Sequence, residues 1–146
     1  MQFNQPKGTD MKQSALANLT QFMSNAPIEK TSLSMPPMAQ PLLPHQITGA
    51  EFALKERTVL IADEQGVGKT ATAIAIATAS VIAGMTPVLV VVPASLRLNW
   101  KHEFAKFSPS VSIATITGTN PIKLKITALP EADVLIIGDS SVHGWK

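Results

Sequence analysis

Five residues, Gly66-Val-Gly-Lys-Thr70, constrain this chain more than any others. Thr58-Val-Leu-Ile61 precedes them and has the apolar, β-branched character of a short buried strand. An Ala-rich stretch from Lys69 to Ala83 follows, which predicts a helix ended by Gly84. Glycines between a strand and a helix let the backbone curl until successive N–H groups point inward. The helix then aims the positive end of its dipole at the same spot. Such a turn is built to hold a phosphate. Lys69 supplies a point charge for the β- and γ-phosphates, and the Thr70 hydroxyl can ligate Mg²⁺.

The flanking pattern predicts an α/β domain. Pro44 can start a helix with Ile47, Ala50 and Leu54 on its inward face. Val88-Leu-Val-Val-Val92 has the unbroken apolar character of a parallel strand buried on both faces. Ser95 is placed to cap the next helix, whose apolar stripe is Leu96, Trp100, Phe104 and Phe107. Strands are predicted at Ser112–Ile116 and Val134–Ile137. Alternating helices and strands imply a mostly parallel sheet with right-handed crossovers. Residues 1–40 differ, being rich in Gln, Asn, Ser, Met and Pro. They predict a flexible segment with one short helix at 11–25, and a linker around Met35-Pro-Pro-Met38. Residues 41–146 form the domain.

Composition excludes several chemistries. There is no cysteine, so disulfides, thiolate metal sites and cysteine nucleophiles are out. The histidines, His45, His102 and His143, are too scattered to suggest a metal site. No signal-peptide core opens the chain. The longest weakly polar run, Ala71 to Met85, is shorter than the roughly 20 residues of a membrane span. A soluble intracellular protein, cytoplasmic or nuclear, is expected, with no membrane partner. Net charge is only +2. Arg97, Lys101, Lys106, Lys123 and Lys125, with Glu103 the one acid between Leu96 and Pro130, fit either a solvated surface or a face toward a polyanion.

The phosphate loop departs from the general pattern at one place. A glycine is usual five residues before Gly68, and Asp63 stands there. Asp63-Glu64-Gln65 followed by Gly66-Val67-Gly68-Lys69-Thr70 resembles the loop of Swi/Snf-type ATPases of helicase superfamily 2. Leu42-Leu-Pro-His-Gln-Ile-Thr-Gly49 resembles their glutamine motif. Val88-Leu-Val-Val-Val-Pro-Ala-Ser-Leu-Arg-Leu-Asn-Trp100, continuing to Glu103-Phe104, resembles their motif Ia. The annealing-helicase branch is the nearest in character. The resemblance implies an incomplete RecA-like lobe that uses ATP and Mg²⁺, with Lys69 as the catalytic candidate. It implies that Gln46 reads the adenine edge, and that Leu43 and His45 shape the base pocket. His45 stands where the family usually has an aromatic ring. Pro93, Ala94, Ser95 and Leu96 would touch the backbone of double-stranded DNA.

The same resemblance shows what the sequence lacks. An Asp-Glu-Ala-His motif, which would position Mg²⁺ and activate water, is not found. Val134–Asp139 imitates it, but Ser140 follows the aspartate. The acidic motif and the second RecA-like lobe are expected beyond Lys146. Hydrolysis is therefore implied for the intact parent type and left open for these 146 residues. Two further readings stay open on residues alone: a small self-contained phosphate-loop enzyme such as a kinase, and a module that binds nucleotide or a partner without catalysis.

Overall fold

The computed structural model describes residues 33–56, 58–117 and 130–142. The helix expected at 11–25, Lys123, Lys125 and His143 lie outside them. In chain order the elements are helix α1 (Pro44–Lys55), helix α2 (Lys69–Ile82), strand β1 (Val88–Val92), a 3-10 turn (Ala94–Leu96), helix α3 (Arg97–Phe107), strand β2 (Ile113–Ile116), strand β3 (Val134–Gly138) and the short helix α4 (Asp139–Val142).

The strands form one parallel sheet in the order β1-β3-β2. Val88 pairs with Val134 and Val92 with Gly138, while Ile113 to Ile116 run beside Val134 to Ile137. The central strand is buried along its whole length, which is why its sequence is apolar without alternation. On one face, Val92, Val134 and Ile136 meet Ile74 and Ala77 of α2, with Phe104 of α3. Trp100 and Phe107 pack against this core, and the Trp100 and Phe104 rings are tilted at a centroid distance of 6.3 Å. On the other face Ile116, Leu135 and Ile137 form a smaller cluster. Asp133 fixes the start of β3 against β2. Its Oδ2 accepts the Ser112 hydroxyl at 2.6 Å and the Ser112 N–H at 2.8 Å. These bonds hold its carboxyl below the ordinary aspartate value, the side-chain bond contributing most.

Five expectations are corrected. Thr58–Ile61 is not a strand: it joins no sheet among the described residues, and Leu60 is 86% exposed. A strand requires a neighbour for its N–H and C=O groups, and β1 pairs among the described residues only with β3. Second, α1 buries Gln46, Ala50 and Ala53, not Ile47, which is 36% exposed. Ala50 and Ala53 win this face because α1 lies close on α2, where a Cβ at Gly49 would sit 3.5 Å from Thr72, and Gln46 because its amide is fully hydrogen-bonded. Third, Ser95 caps nothing. A 3-10 turn closed by Leu96 N–H to Pro93 O, at 2.8 Å, comes first, and the cap position of α3 falls on Leu96. Fourth, that turn lifts Leu96 out of the α3 stripe and leaves it exposed. Fifth, β1 is not buried on both faces: Leu89 and Val91 are exposed, because among the described residues their side of the sheet carries only the small cluster of Ile116, Leu135 and Ile137. The segment around Met35–Met38 lies against the domain, with Pro36 buried, Met38 packed on the core and Ala39 N–H bonded to Phe107 O at 2.9 Å.

Candidate nucleotide site

The loop before α2 has the curl its glycines allow. Gly66 has φ 89° and Gly68 has φ 82°, both left-handed. Gly68 is also the cap residue of α2, so Lys69 and Thr70 are the first two residues of that helix. The first N–H groups of a helix have no acceptor within it. The Lys69 ammonium turns back over the loop and donates to Asp63 O at 2.8 Å and Glu64 O at 2.7 Å.

The start of α1 holds the loop from the other side. Gln46 is buried, and every polar atom of its amide is engaged. Its Oε1 accepts the Leu43 N–H at 2.9 Å, the return half of a capping arrangement at the helix start. Its Nε2 donates to Val67 O at 3.1 Å and to Gly68 O at 3.3 Å. His45 Nε2 bonds the same Val67 oxygen at 2.9 Å. His45 and Gln46 are thus gathered against residues 67–68, and Leu43 is tied to them only through the Gln46 amide. The direction of the Gln46 amide, toward the loop carbonyls, was not legible in the sequence. No sequence signal pointed to it beyond Gln46 and the loop each belonging to a motif.

A second group lies at the carboxyl end of the sheet. Pro93, Ala94, Ser95 and Leu96 are all exposed. Ala94 approaches the end of β3, so that a Cβ on Gly138 would lie 3.4 Å from the Ala94 methyl. Arg97, counted in the sequence only as one of several basic residues, ties this turn down: Nε donates to Ala94 O at 3.1 Å and Nη1 to Ile116 O at 2.9 Å. Asp139 opens α4, and its Oδ1 accepts the Ser140 N–H at 2.7 Å. Among the described residues no group of three acidic, histidine or cysteine side chains gathers as a metal centre. No helix among them is long and apolar enough to cross a membrane.

A parallel sheet flanked by helices, with a glycine loop heading the helix after it, defines part of a RecA-like nucleotide-binding lobe. Residues 45–142 match the SNF2-related domain family, and the chain belongs to that family. It is 39% identical over 98 residues to mouse "DNA annealing helicase and endonuclease ZRANB3", a match covering 66% of this chain and 9% of that protein. It is 43% identical over 72 residues to the bovine "SWI/SNF-related matrix-associated actin-dependent regulator of chromatin subfamily A-like protein 1", covering 49% of this chain and 7% of the relative. Among solved structures, "Sulfolobus solfataricus SWI2/SNF2 ATPase core in complex with dsDNA" superposes with a TM-score of 0.60 at 28% identity, over 74% of this chain and 23% of that one. The chain therefore spans less than a tenth of the length of these curated relatives. It is part of an SNF2-related domain, and the self-contained kinase reading is set aside.

Proposed function

We propose that this chain supplies the ATP-binding portion of a DNA-dependent ATPase of the Swi/Snf type. The observation that carries the reading is the left-handed glycine loop at the head of α2 with the Lys69 ammonium folded over it. The residues fit a nucleoside triphosphate. Gly66 leaves open space where a side chain would stand, and at Gly68 a Cβ would run into the Gln46 amide. With both residues at left-handed φ, the curl of the cradle favours glycine at each point.

In this reading Lys69 exchanges its two backbone carbonyls for phosphate oxygens. The N–H groups of residues 66–70 hold the same oxygens, and the α2 dipole supports the negative charge. Thr70 would hold the Mg²⁺ that accompanies the nucleotide, and Asp63, Glu64 and Gln65 form the approach to the loop. Leu43, His45 and Gln46 line the base side. Bound Mg²⁺ would neutralise developing phosphate charge. Pro93, Ala94, Ser95 and Leu96 are the proposed contacts to a DNA backbone, which an exposed turn at the carboxyl edge of a parallel sheet suits.

Titration with a fluorescent ATP analogue, with and without Mg²⁺, tests the site. Lys69→Ala is expected to weaken binding by an order of magnitude or more, on the order of 1.4 kcal/mol or above. Thr70→Val should remove the increment that Mg²⁺ adds. Equal affinity in wild type and Lys69→Ala would sink the assignment.

A further inference from the structure

The position of His45 raises a question that its family resemblance leaves open. An aromatic ring is usual there, which suggests a flat surface for the base. The bonding of the imidazole gives it another role. We infer that His45 is a positioning residue that fastens the phosphate loop through the Val67 carbonyl. This inference rests on the nucleotide-binding reading above.

A carbonyl oxygen only accepts, so at 2.9 Å from Val67 O the Nε2 of His45 carries the hydrogen. Gln46 Nε2 donates to the same oxygen at 3.1 Å. Both lone pairs of Val67 O are then occupied by neighbouring residues of α1. A carbonyl held at two points cannot swing freely. The peptide unit is planar and trans, so fixing the Val67 C=O toward α1 fixes the Gly68 N–H on the opposite side. Gln46 does the same at the next unit by bonding Gly68 O, which sets the Lys69 N–H. The N–H groups at the head of α2 are therefore oriented by side chains that lie behind them.

This makes His45 and a purely aromatic residue chemically different. A phenyl ring offers the same flat surface without the donor. Glutamine offers a donor at comparable reach without the ring. If the clamp keeps the loop in its binding form, losing it lowers the fraction of competent molecules, and apparent affinity falls by that fraction.

Two measurements on the full chain decide. The first is the carbonyl ¹³C resonance of Val67 without nucleotide. His45→Phe should move it upfield, as for a lost hydrogen bond, and His45→Gln should restore it. An unmoved resonance in His45→Phe overturns the clamp. The second is affinity for a fluorescent ATP analogue. His45→Phe should weaken it about three- to tenfold, the worth of one net hydrogen bond, with His45→Gln close to wild type. Binding in His45→Phe as tight as wild type, or tighter, overturns the inference and marks a stacking ring instead. Should wild type bind no nucleotide, the proposed function fails, while the Val67 resonance still decides the clamp.

Discussion

Gly66 and Gly68 look equivalent in the sequence, and in the structure they are not. Both have left-handed φ, of 89° and 82°. An alanine at either position meets the same backbone penalty, roughly 1–2 kcal/mol. Around Gly66 a new Cβ meets nothing within 4 Å. At Gly68 it would occupy the place of the Gln46 amide nitrogen. That nitrogen must move, and its bonds to Val67 O and Gly68 O at 3.1 and 3.3 Å are lost. Each is worth about 0.5–1.5 kcal/mol net, the longer one at the low end, so the clash adds roughly 1–2 kcal/mol. Gly66→Ala should therefore destabilise by about 1–2 kcal/mol, and Gly68→Ala by about 2–4. The excess belongs to a pair, so a double-mutant cycle isolates it. In a Gln46→Ala background the amide is gone, and Gly68→Ala should fall to the cost of Gly66→Ala. Urea unfolding followed by far-UV circular dichroism gives all the required free energies, with a coupling of about 1–2 kcal/mol expected between positions 46 and 68. Equal costs for the two glycines in wild type, or an undiminished Gly68→Ala cost without Gln46, would refute the reasoning.

Two further perturbations probe the frame of the site, and a third serves as a control. Asp133 has its carboxyl pKa lowered in the folded chain by the Ser112 hydroxyl and then the Ser112 N–H. Its stabilising effect is therefore present above the unfolded aspartate pKa and is lost as pH falls through the lower folded value. Melting temperature followed from about pH 5 to about pH 2 should drop less steeply in Asp133→Asn than in wild type; identical acid limbs would show that the clamp adds nothing. Phe104 is fully buried between α3 and the sheet, so Phe104→Ala should cost about 3–5 kcal/mol in urea unfolding. Leu60→Ser, at a position 86% exposed, should stay within about 0.5 kcal/mol, and a large loss there would show that Leu60 is covered.

What could be read from the residues follows the range of the forces involved. The apolar runs of β1 and β3 and the Ala-rich α2 are local signals, and their positions match the structure closely. The glycine loop is local as well, because positive φ needs no distant partner. Thr58–Ile61 failed for the opposite reason: its residues favour a strand, but strand formation depends on a neighbour from elsewhere in the chain. The face of α1 was misassigned because Ile47 is more apolar than Gln46, and burial went to the residue whose amide finds three partners. Ser95 had the right chemistry for a cap, and a tight turn shifted the helix start past it. At the site, the motif residues could be named from the sequence, and their bonding directions could not. Hydrogen bonds between α1 and the loop join residues more than twenty positions apart, a separation that spacing rules do not reach.

The Arg97 bonds have a mechanical meaning. Because β3 lies between β1 and β2, the turn after β1 and the last residue of β2 are not neighbours in the sheet. One guanidinium nevertheless holds both, at Ala94 O and Ile116 O. It acts as a brace across the upper rim, and its planar fork is stiff in a way an ammonium is not. A displacement of the turn at Ala94 would therefore strain the bond to Ile116 on the far side of β3.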